Sequence, residues 1–309
     1  MWDAKTFKRR FSLAVEEGNR ELLDELRISV FKDTVACVQG EHYFSEHGKT
    51  VRLPLDRNLM KNSILYSKDR EEISSGNFMT NISVEDRDCL LVASTLGNNP
   101  LVLNMADNTH PGGGVEQGSG AQEESLFRSS NYFLSMYQFD ESFAQKYNIQ
   151  KSKSHYPLDN SFGSVYSPKV TIFRGPEEDG YPLLDTPFTV SFLAVSAIRQ
   201  PTILADAKKN WKLDTPSIEL TKTKIRTIFK GAMANHQETL VLSAFGCGAF
   251  CNPPEHMAAL FHEVLREKTF LHAFKSIVFA IKDDHNSHKW YNPEGNYQPF
   301  AKEFKRGKI

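Results

Sequence analysis

The sequence predicts an α/β fold in which a mixed or largely parallel sheet is covered by helices on both faces. Apolar segments of the length of buried strands recur along the chain, and segments with helical spacing separate them. The expected strands are 101–104, 170–173, 188–195, 239–243 and 276–281. This alternation is typical of a single α/β domain, and we expect one of about 200–220 residues with an N-terminal helical extension.

The composition is that of an ordinary globular protein. The chain has 309 residues, of which 40% are hydrophobic and 24% charged, and its formal net charge is −1. We therefore expect no membrane partner and no direct sequence-specific binding of nucleic acid. The absence of a long apolar run and of a signal-peptide core predicts a cytoplasmic protein, although secretion without a cleaved signal would leave no such mark. Four scattered cysteines agree with a reducing compartment.

The N-terminal region begins with an amphipathic pattern over residues 3–31, which predicts a helix that Gly18-Asn19 divides into two pieces. Its apolar face consists of Phe7, Phe11, Val15, Leu22, Leu26 and Val30. Residues 35–80 predict short strands or hairpins near 35–38 and 51–53. Ser83 to Asp86 has the composition of a capping box, which predicts a helix that runs through Ala93.

The second half contains one poorly patterned stretch and several clear elements. Residues 138–170 show little periodicity, whereas Val170 to Arg174 reads as a strand that Gly175-Pro176 ends. Phe188 to Ala197 is a near-continuous apolar run of the kind found in central parallel strands. Thr221 to His236 has helical spacing.

The stretch from Pro100 to Tyr132 carries the first candidate site. A buried strand leads into a turn that contains Gly112, Gly113 and Gly114, and Glu123 and Glu124 then enter a helix. Glycine lets the backbone lie directly against a ligand, and amides in such a loop point at anions or ribose hydroxyls. The spacing fits neither a dinucleotide fingerprint nor a P-loop. The helix dipole also explains acidic residues at a helix start, but the polar glycine-rich lead-in favours a sugar site.

A second strand, glycine loop and helix start follow between Thr239 and Pro254. Gly246 and Gly248 open the loop, so its backbone amides can hold a diphosphate without any basic side chain. Cys247 and Cys251 alone supply too few ligands for a metal, and we predict none. The last strand ends in the polar cluster Asp283 to Asn286, and Lys302 to Arg306 reads as a solvated helix end or tail.

The glycine loop and the acidic pair together resemble the signature of the poly(ADP-ribose) glycohydrolases, and specifically of their shorter, bacterial-type branch. The matching residues are Leu103-Asn104, Pro111 to Gly114, Ala121 to Glu124 and Arg128 to Ser130. The resemblance covers roughly residues 80–300 and implies a macrodomain-like three-layer sandwich with a mixed sheet. Residues 1–80 resemble that branch only loosely, and we expect them to be an accessory extension packed on a catalytic domain over residues 81–305.

The same resemblance implies a site and a reaction. Glu124 is expected to be the acid/base that cleaves a ribose–ribose bond, with Glu123 orienting ribose hydroxyls and no cofactor or metal. Phe250 is the expected aromatic neighbour of the adenosine. The remaining expected substrate-binding residues are Asn104, Gly112, Gly113, Gly114, Gln122, Gly246, Cys247, Gly248 and Ala249.

The resemblance implies poly(ADP-ribose) or ADP-ribosylated proteins as the substrate and ADP-ribose as the product, released mainly from the chain end. Two other functions stay open from the sequence. A hydrolase that removes a single ADP-ribose from a protein side chain would use the same pocket. A macrodomain that only binds ADP-ribose would not need the two carboxylates.

Overall fold

A computed structural model of the chain describes residues 2–70, 76–205, 210–284 and 286–305. The α-helices are α1 (Ala4–Glu16), α2 (Arg20–Gln39), α3 (Arg57–Asn62), α4 (Cys89–Leu96), α5 (Gln122–Ser129), α6 (Phe133–Met136), α7 (Glu141–Lys146), α8 (Thr215–Ala234), α9 (Pro254–Leu265) and α10 (Tyr297–Glu303). The strands are β1 (His42–Phe44), β2 (Thr50–Arg52), β3 (Ile64–Tyr66), β4 (Asn81–Glu85), β5 (Leu101–Met105), β6 (Ser164–Arg174), β7 (Leu183–Val195), β8 (Ile203–Ala205), β9 (Trp211–Leu213), β10 (Thr239–Leu242) and β11 (Ser276–Ala280).

The main sheet has seven strands in the order β3-β6-β7-β5-β10-β11-β4, which confirms the predicted α/β class with a mixed sheet. β5, β10, β11 and β4 are parallel neighbours, with Leu101 opposite Leu240 and Thr239 opposite Ser276. β6 and β7 form a hairpin in which the Gly175 N–H donates to the Pro182 carbonyl oxygen at 2.9 Å. Because β5 and β10 run in register, the segments that follow them leave the sheet at the same edge.

The chain folds into two compact units, each made of several segments. The first unit comprises Met1–Leu65, Thr109–Pro157 and Ser167–Phe192, and the second comprises Tyr66–Asn108, Leu158–Tyr166 and Leu193–Ile309. The predicted division of the chain into an extension and a catalytic domain at residue 80 stays a prediction.

The first unit begins with the predicted pair of helices, broken where the sequence indicates. α1 ends at Glu16, and the Asn19 side chain accepts the Leu22 N–H at 3.1 Å to cap α2. Phe7, buried, packs edge to face against Tyr181 at 5.7 Å between ring centroids. Val15, predicted for the apolar face, is 55% exposed, and Ala14 is the buried residue in the last turn of α1.

The expectation of a strand at 35–38 is wrong, because these residues form the last turns of α2. Val38 is buried on the helix face that Leu26 and Val30 begin, so packing of that face outweighs the strand preference of the β-branched residues. The expected hairpin near 51–53 is confirmed, since β1 and β2 pair antiparallel with Tyr43 opposite Val51.

The stretch 138–170 is more ordered than its pattern predicts. The Asp140 side chain accepts the Phe143 N–H at 3.1 Å and caps α7. β6 begins at Ser164, six residues before the predicted strand start at Val170. Polar side chains inside β6 hide its strand pattern: Ser164 and Ser167 are fully buried there.

In the second unit, the predicted helix start at Ser83 to Asp86 is wrong. Residues 81–85 are β4, which pairs with β11, and the helix that follows is capped by Asp88 instead. Asp88 accepts the N–H groups of Leu90 and Leu91 at 2.8 and 3.1 Å. The segment is a strand because it pairs in parallel with β11, which lies far along the chain. The residue types near Ser83 give no indication of that pairing.

The core of the second unit is formed by the predicted strands and helices, with α8 and α9 packed together and Phe229, Phe261 and Phe279 fully buried. The C-terminal segment is less solvated than expected, because Phe304 is buried against Phe279 at 4.7 Å between ring centroids. Arg306, the last residue of that predicted tail, lies outside the described residues. Among the described residues, no helix is long and apolar enough to cross a membrane.

Candidate active site

The glycine loop of the first unit folds tightly over the start of α5. Gly112 and Gly113 have φ values of +83° and +55°, in the left-handed region that favours glycine. A Cβ on Gly113 would lie 2.5 Å from Glu124 Oε1 and 3.2 Å from Glu123 Oε2. The second glycine of the run is therefore required by the approach of the backbone to both carboxylates.

Both carboxylates of the acidic pair turn back onto the loop. The Gly112 N–H donates to Glu123 Oε1 at 3.1 Å, and the Gly114 N–H donates to Glu124 Oε1 at 2.9 Å. Both glutamates lie in the first turn of α5, where the helix dipole favours negative charge. The loop and the two carboxylates thus form one hydrogen-bonded unit, which we call the carboxylate cradle (residues 112–114 with Glu123 and Glu124).

Glu124 has one oxygen without a partner. Its side chain is only 6% exposed, yet Oε2 makes no hydrogen bond to any residue that the structure describes. A buried carboxylate oxygen without a donor costs free energy, of the order of 1–3 kcal/mol, so such atoms are rare in folded proteins. The arrangement is typical of a group that meets a ligand.

The backbone amides of the carboxylate cradle already donate hydrogen bonds to acceptors within the protein. Gly112 and Gly114 donate to the two carboxylates, and the Gly113 N–H donates to the His110 carbonyl oxygen at 3.1 Å. In this arrangement the loop amides bond the protein's own anions, where the sequence suggested ligand anions or ribose hydroxyls. Gln122, predicted to contact the substrate, is the half-buried first residue of α5.

The second unit holds the other predicted residues. Asn104 is buried near the end of β5, and residues 246–250 form the loop after β10, at the same edge of the sheet. Gly246 has a φ of +76°, and a Cβ there would lie 2.6 Å from both the Ala197 Cβ and the Asn252 Nδ2. Gly246 therefore serves the close packing of the loop, whereas a Cβ on Gly248 would meet nothing nearer than Asn286 at 3.8 Å.

Two residues without a predicted role hold this second loop in place. The buried Asn252 side chain donates to the carbonyl oxygens of Ile198 at 2.8 Å and of Gly246 at 3.0 Å. The Tyr291 hydroxyl donates to the Gly248 carbonyl oxygen at 2.8 Å. The position of Asn252 directly before two prolines could have indicated its role in the loop. The residues around Tyr291 in the sequence give no such indication.

Cys247 and Phe250, both predicted to contact the substrate, differ in how far their side chains are buried. The Cys247 side chain is fully buried, and burial raises the pKa of its thiol well above the usual range. Any ligand contact by Cys247 would therefore come from its backbone. Phe250 is half-buried, and the Arg199 guanidinium lies 5.8 Å from the centre of its ring.

The described residues of the polar cluster after β11 make hydrogen bonds within the protein. Asp283 Oδ1 accepts from the Ser287 hydroxyl at 2.9 Å and from the Asn296 N–H at 2.6 Å, which orders the segment that carries Tyr291. His285 of this cluster lies outside the described residues.

Comparisons with known proteins agree with the resemblance in the sequence. Residues 31–175 match the family model described as the catalytic domain of microbial-type PARG. That range includes the carboxylate cradle and Asn104 but not the loop 246–250. No curated protein sequence gives a match.

Solved structures similar to this chain include poly(ADP-ribose) glycohydrolases from two bacteria. The enzyme from Thermomonospora curvata is 24% identical, with 90% of this chain and 99% of that chain covered and a TM-score of 0.69. The enzyme from Deinococcus radiodurans, in complex with ADP-ribose, is 27% identical, with 83% and 99% covered and a TM-score of 0.62. The predicted resemblance to microbial-type poly(ADP-ribose) glycohydrolases and the macrodomain-like fold are confirmed.

Proposed function

We propose that this chain, with its microbial-type glycohydrolase catalytic domain, hydrolyses the ribose–ribose O-glycosidic bonds of poly(ADP-ribose) and releases ADP-ribose. The observation that carries the proposal is the Glu124 carboxylate, which is buried and fixed at Oε1 but bonded to no described residue at Oε2. A group held in this way can exchange a proton with a substrate oxygen that approaches the open end.

The reaction uses Glu124 first as an acid and then as a base. Its carboxyl group gives a proton to the departing ribose oxygen as the glycosidic bond breaks, and the anomeric carbon becomes oxocarbenium-like. A water molecule then forms the new bond to that carbon while Glu124 takes back a proton. The Gly114 N–H at 2.9 Å from Oε1 fixes the orientation of the carboxyl group in both steps.

Substrate positioning is assigned to the neighbouring residues as part of the same proposal. Glu123, fixed by the Gly112 N–H, orients ribose hydroxyls, and Asn104 and Gln122 contact the same sugar. Gly246 to Phe250 hold the diphosphate and the adenosine through backbone amides and the Phe250 ring. Residues 1–80 would be the accessory part and 81–305 the catalytic part of the chain, acting in the cytoplasm and mainly at polymer ends.

The test is release of ADP-ribose from purified poly(ADP-ribose), measured for the wild type and for Glu124→Gln. The proposal expects release by the wild type and its loss in the folded variant. If the wild type binds ADP-ribose but releases none, the chain is a binding macrodomain. If it releases ADP-ribose only from proteins that carry a single unit, it is a mono-ADP-ribosyl hydrolase.

A further inference from the structure

We propose that Arg128 is a positioning residue, which sets the orientation of the Glu124 carboxylate through the loop between Gly114 and Ser119. The proposal rests on the proposed function in one respect, because turnover is one of its two readouts. Arg128 lies one helical turn after Glu124 in α5 and has no solvent exposure.

Arg128 reaches back along its own helix to the loop that precedes it. Its Nη2 donates to the Ser119 carbonyl oxygen. The Ser119 N–H donates to the Gly114 carbonyl oxygen at 3.0 Å, and the Gly114 N–H donates to Glu124 Oε1 at 2.9 Å. These contacts form a closed ring of hydrogen bonds that starts and ends in α5, which we call the Arg128 ring (Arg128, Ser119, Gly114 and Glu124).

The ring is held from outside by α2. Arg128 Nε donates to the Arg27 carbonyl oxygen at 3.3 Å, and the Thr34 hydroxyl donates to the Arg128 carbonyl oxygen at 2.6 Å. Gly118, with a φ of +85°, lies so close to α2 that a Cβ would be 2.5 Å from both the Asp24 Cα and its carbonyl oxygen. The loop is therefore fixed between α2 and α5, and α2 acts as a support of the carboxylate cradle.

The chemistry of Arg128 argues against a purely stabilising role. Among the described residues it forms no ion pair with a carboxylate; Nε and Nη2 donate to backbone carbonyl oxygens, and Nη1 makes no hydrogen bond. Burying a cation with neutral partners is costly, and an apolar side chain of similar volume often stabilises a fold better. The planar guanidinium fork reaches two separate carbonyl oxygens at once, which a lysine ammonium on a flexible stem does not reproduce.

The test compares Arg128→Lys with Arg174→Lys. Arg174 is a control of similar burial in the same unit that donates to the Tyr181 carbonyl oxygen at 3.1 Å and takes no part in the ring. It differs from Arg128 in pairing with Asp33, and it also donates to Thr34 Oγ1 at 2.9 Å, so it reports on the support from α2 without breaking the ring. For each variant we would measure kcat and KM on poly(ADP-ribose), ADP-ribose affinity, the melting temperature, and hydrogen–deuterium exchange in peptides that cover residues 109–121.

Arg128→Lys is expected to lower kcat about 10- to 100-fold, because small displacements of a catalytic group have effects of that size. ADP-ribose affinity should stay within about threefold, and exchange should accelerate over the loop because the Ser119 carbonyl oxygen loses the Arg128 donor that fixes it. Arg174→Lys is expected to lower the melting temperature while kcat and loop exchange stay at wild-type values. Gly118→Ala, which disturbs the loop and leaves Arg128 intact, should reproduce the kcat effect.

Three results would overturn the proposal. Wild-type kcat and loop exchange in Arg128→Lys would remove the ring from the mechanism. An equal loss of kcat in Arg174→Lys, which leaves every bond of the ring intact, would show that the effect does not require the ring. If the wild type itself has no turnover, the proposed function fails, and unchanged exchange in Arg128→Lys would then refute the positioning role independently of activity.

Discussion

Replacing Glu124 by glutamine removes the acid and keeps its shape. The amide oxygen of glutamine can accept the Gly114 N–H at the place of Oε1, 2.9 Å away, so the carboxylate cradle keeps its geometry. The NH₂ group then occupies the position of Oε2, which has no described partner. The variant loses the ability to give and take a proton, and little else changes.

Because the substitution removes the ionisable group and keeps its shape, its effect on kcat can be estimated apart from its effects on binding and stability. General acid–base catalysis contributes roughly 10²- to 10⁴-fold, so we expect kcat to fall about 10³-fold, which corresponds to about 4 kcal/mol. ADP-ribose lacks the leaving group, and its affinity should stay within about threefold of the wild type. The NH₂ group at this position also lacks a described partner, so one unpaired buried polar group replaces another, and the free energy of unfolding should stay within about 1 kcal/mol of the wild type.

The assay is ADP-ribose release from the polymer, combined with calorimetric titration of ADP-ribose and thermal unfolding. Glu116→Gln is the matched control, because Glu116 belongs to the same loop but pairs with Lys146 at 2.7 Å. The control should keep wild-type kcat. A folded Glu124→Gln protein with kcat within tenfold of the wild type, or one that loses ADP-ribose binding in parallel, would refute the role of Glu124.

Three further predictions concern the loops and one buried lysine. Gly113→Ala should lower kcat by about 100-fold, because its Cβ would lie 2.5 Å from Glu124 Oε1 and displace the carboxylate; steady-state kinetics measures this. Gly248→Val should weaken ADP-ribose binding by about tenfold or more in titration, with a nearly unchanged melting temperature, since a Cβ at this position meets nothing nearer than Asn286 at 3.8 Å. Burial lowers the pKa of Lys224 from 10.5 to about 8, so below pH 8 the buried charge destabilises the fold, and stability should rise with pH between about 8 and 10.5. Lys224→Met should remove that rise and increase the free energy of unfolding at pH 7 by about 3 kcal/mol, measured by denaturant titration across this pH range.

Each of these has a clear opposing result. Wild-type kcat in Gly113→Ala would show that the carboxylate tolerates displacement by the loop. Unchanged ADP-ribose affinity in Gly248→Val would remove the second loop from the binding site. A flat stability profile between pH 8 and 10.5 in the wild type would mean that Lys224 is solvated in the folded protein.

The sequence predicts best the helices and strands that pack in the core, because their buried positions must be occupied by apolar residues. β10 was predicted as 239–243 and ends at Leu242, because Leu240 to Leu242 must all be apolar to pack, and α9 begins at Pro254 as predicted. β4 was missed because its pairing partner, β11, lies about 190 residues away in the chain, and only that pairing makes the segment a strand.

The candidate site, like the fold, could be predicted from the sequence only in part. The glycine run and the acidic pair are close in sequence and match a motif, so both could be predicted as site residues, whereas the bonding of the loop amides to the two carboxylates was not predicted. The choice of which amide bonds which carboxylate depends on the left-handed turn at Gly112 and Gly113, which the residue types permit but do not specify. The support from Arg27 and Tyr291 arises from packing between distant segments and leaves no local signal.

The most direct test of the central claim is incubation of the purified protein with poly(ADP-ribosyl)ated protein and, separately, with mono(ADP-ribosyl)ated protein, with free ADP-ribose and the residual protein-linked group both measured. Cleavage of ribose–ribose bonds by Glu124 predicts that the polymer is shortened to a protein-linked stub, that ADP-ribose is released, and that the mono-modified protein is untouched. Release from the mono-modified protein, with the polymer left intact, would contradict the account.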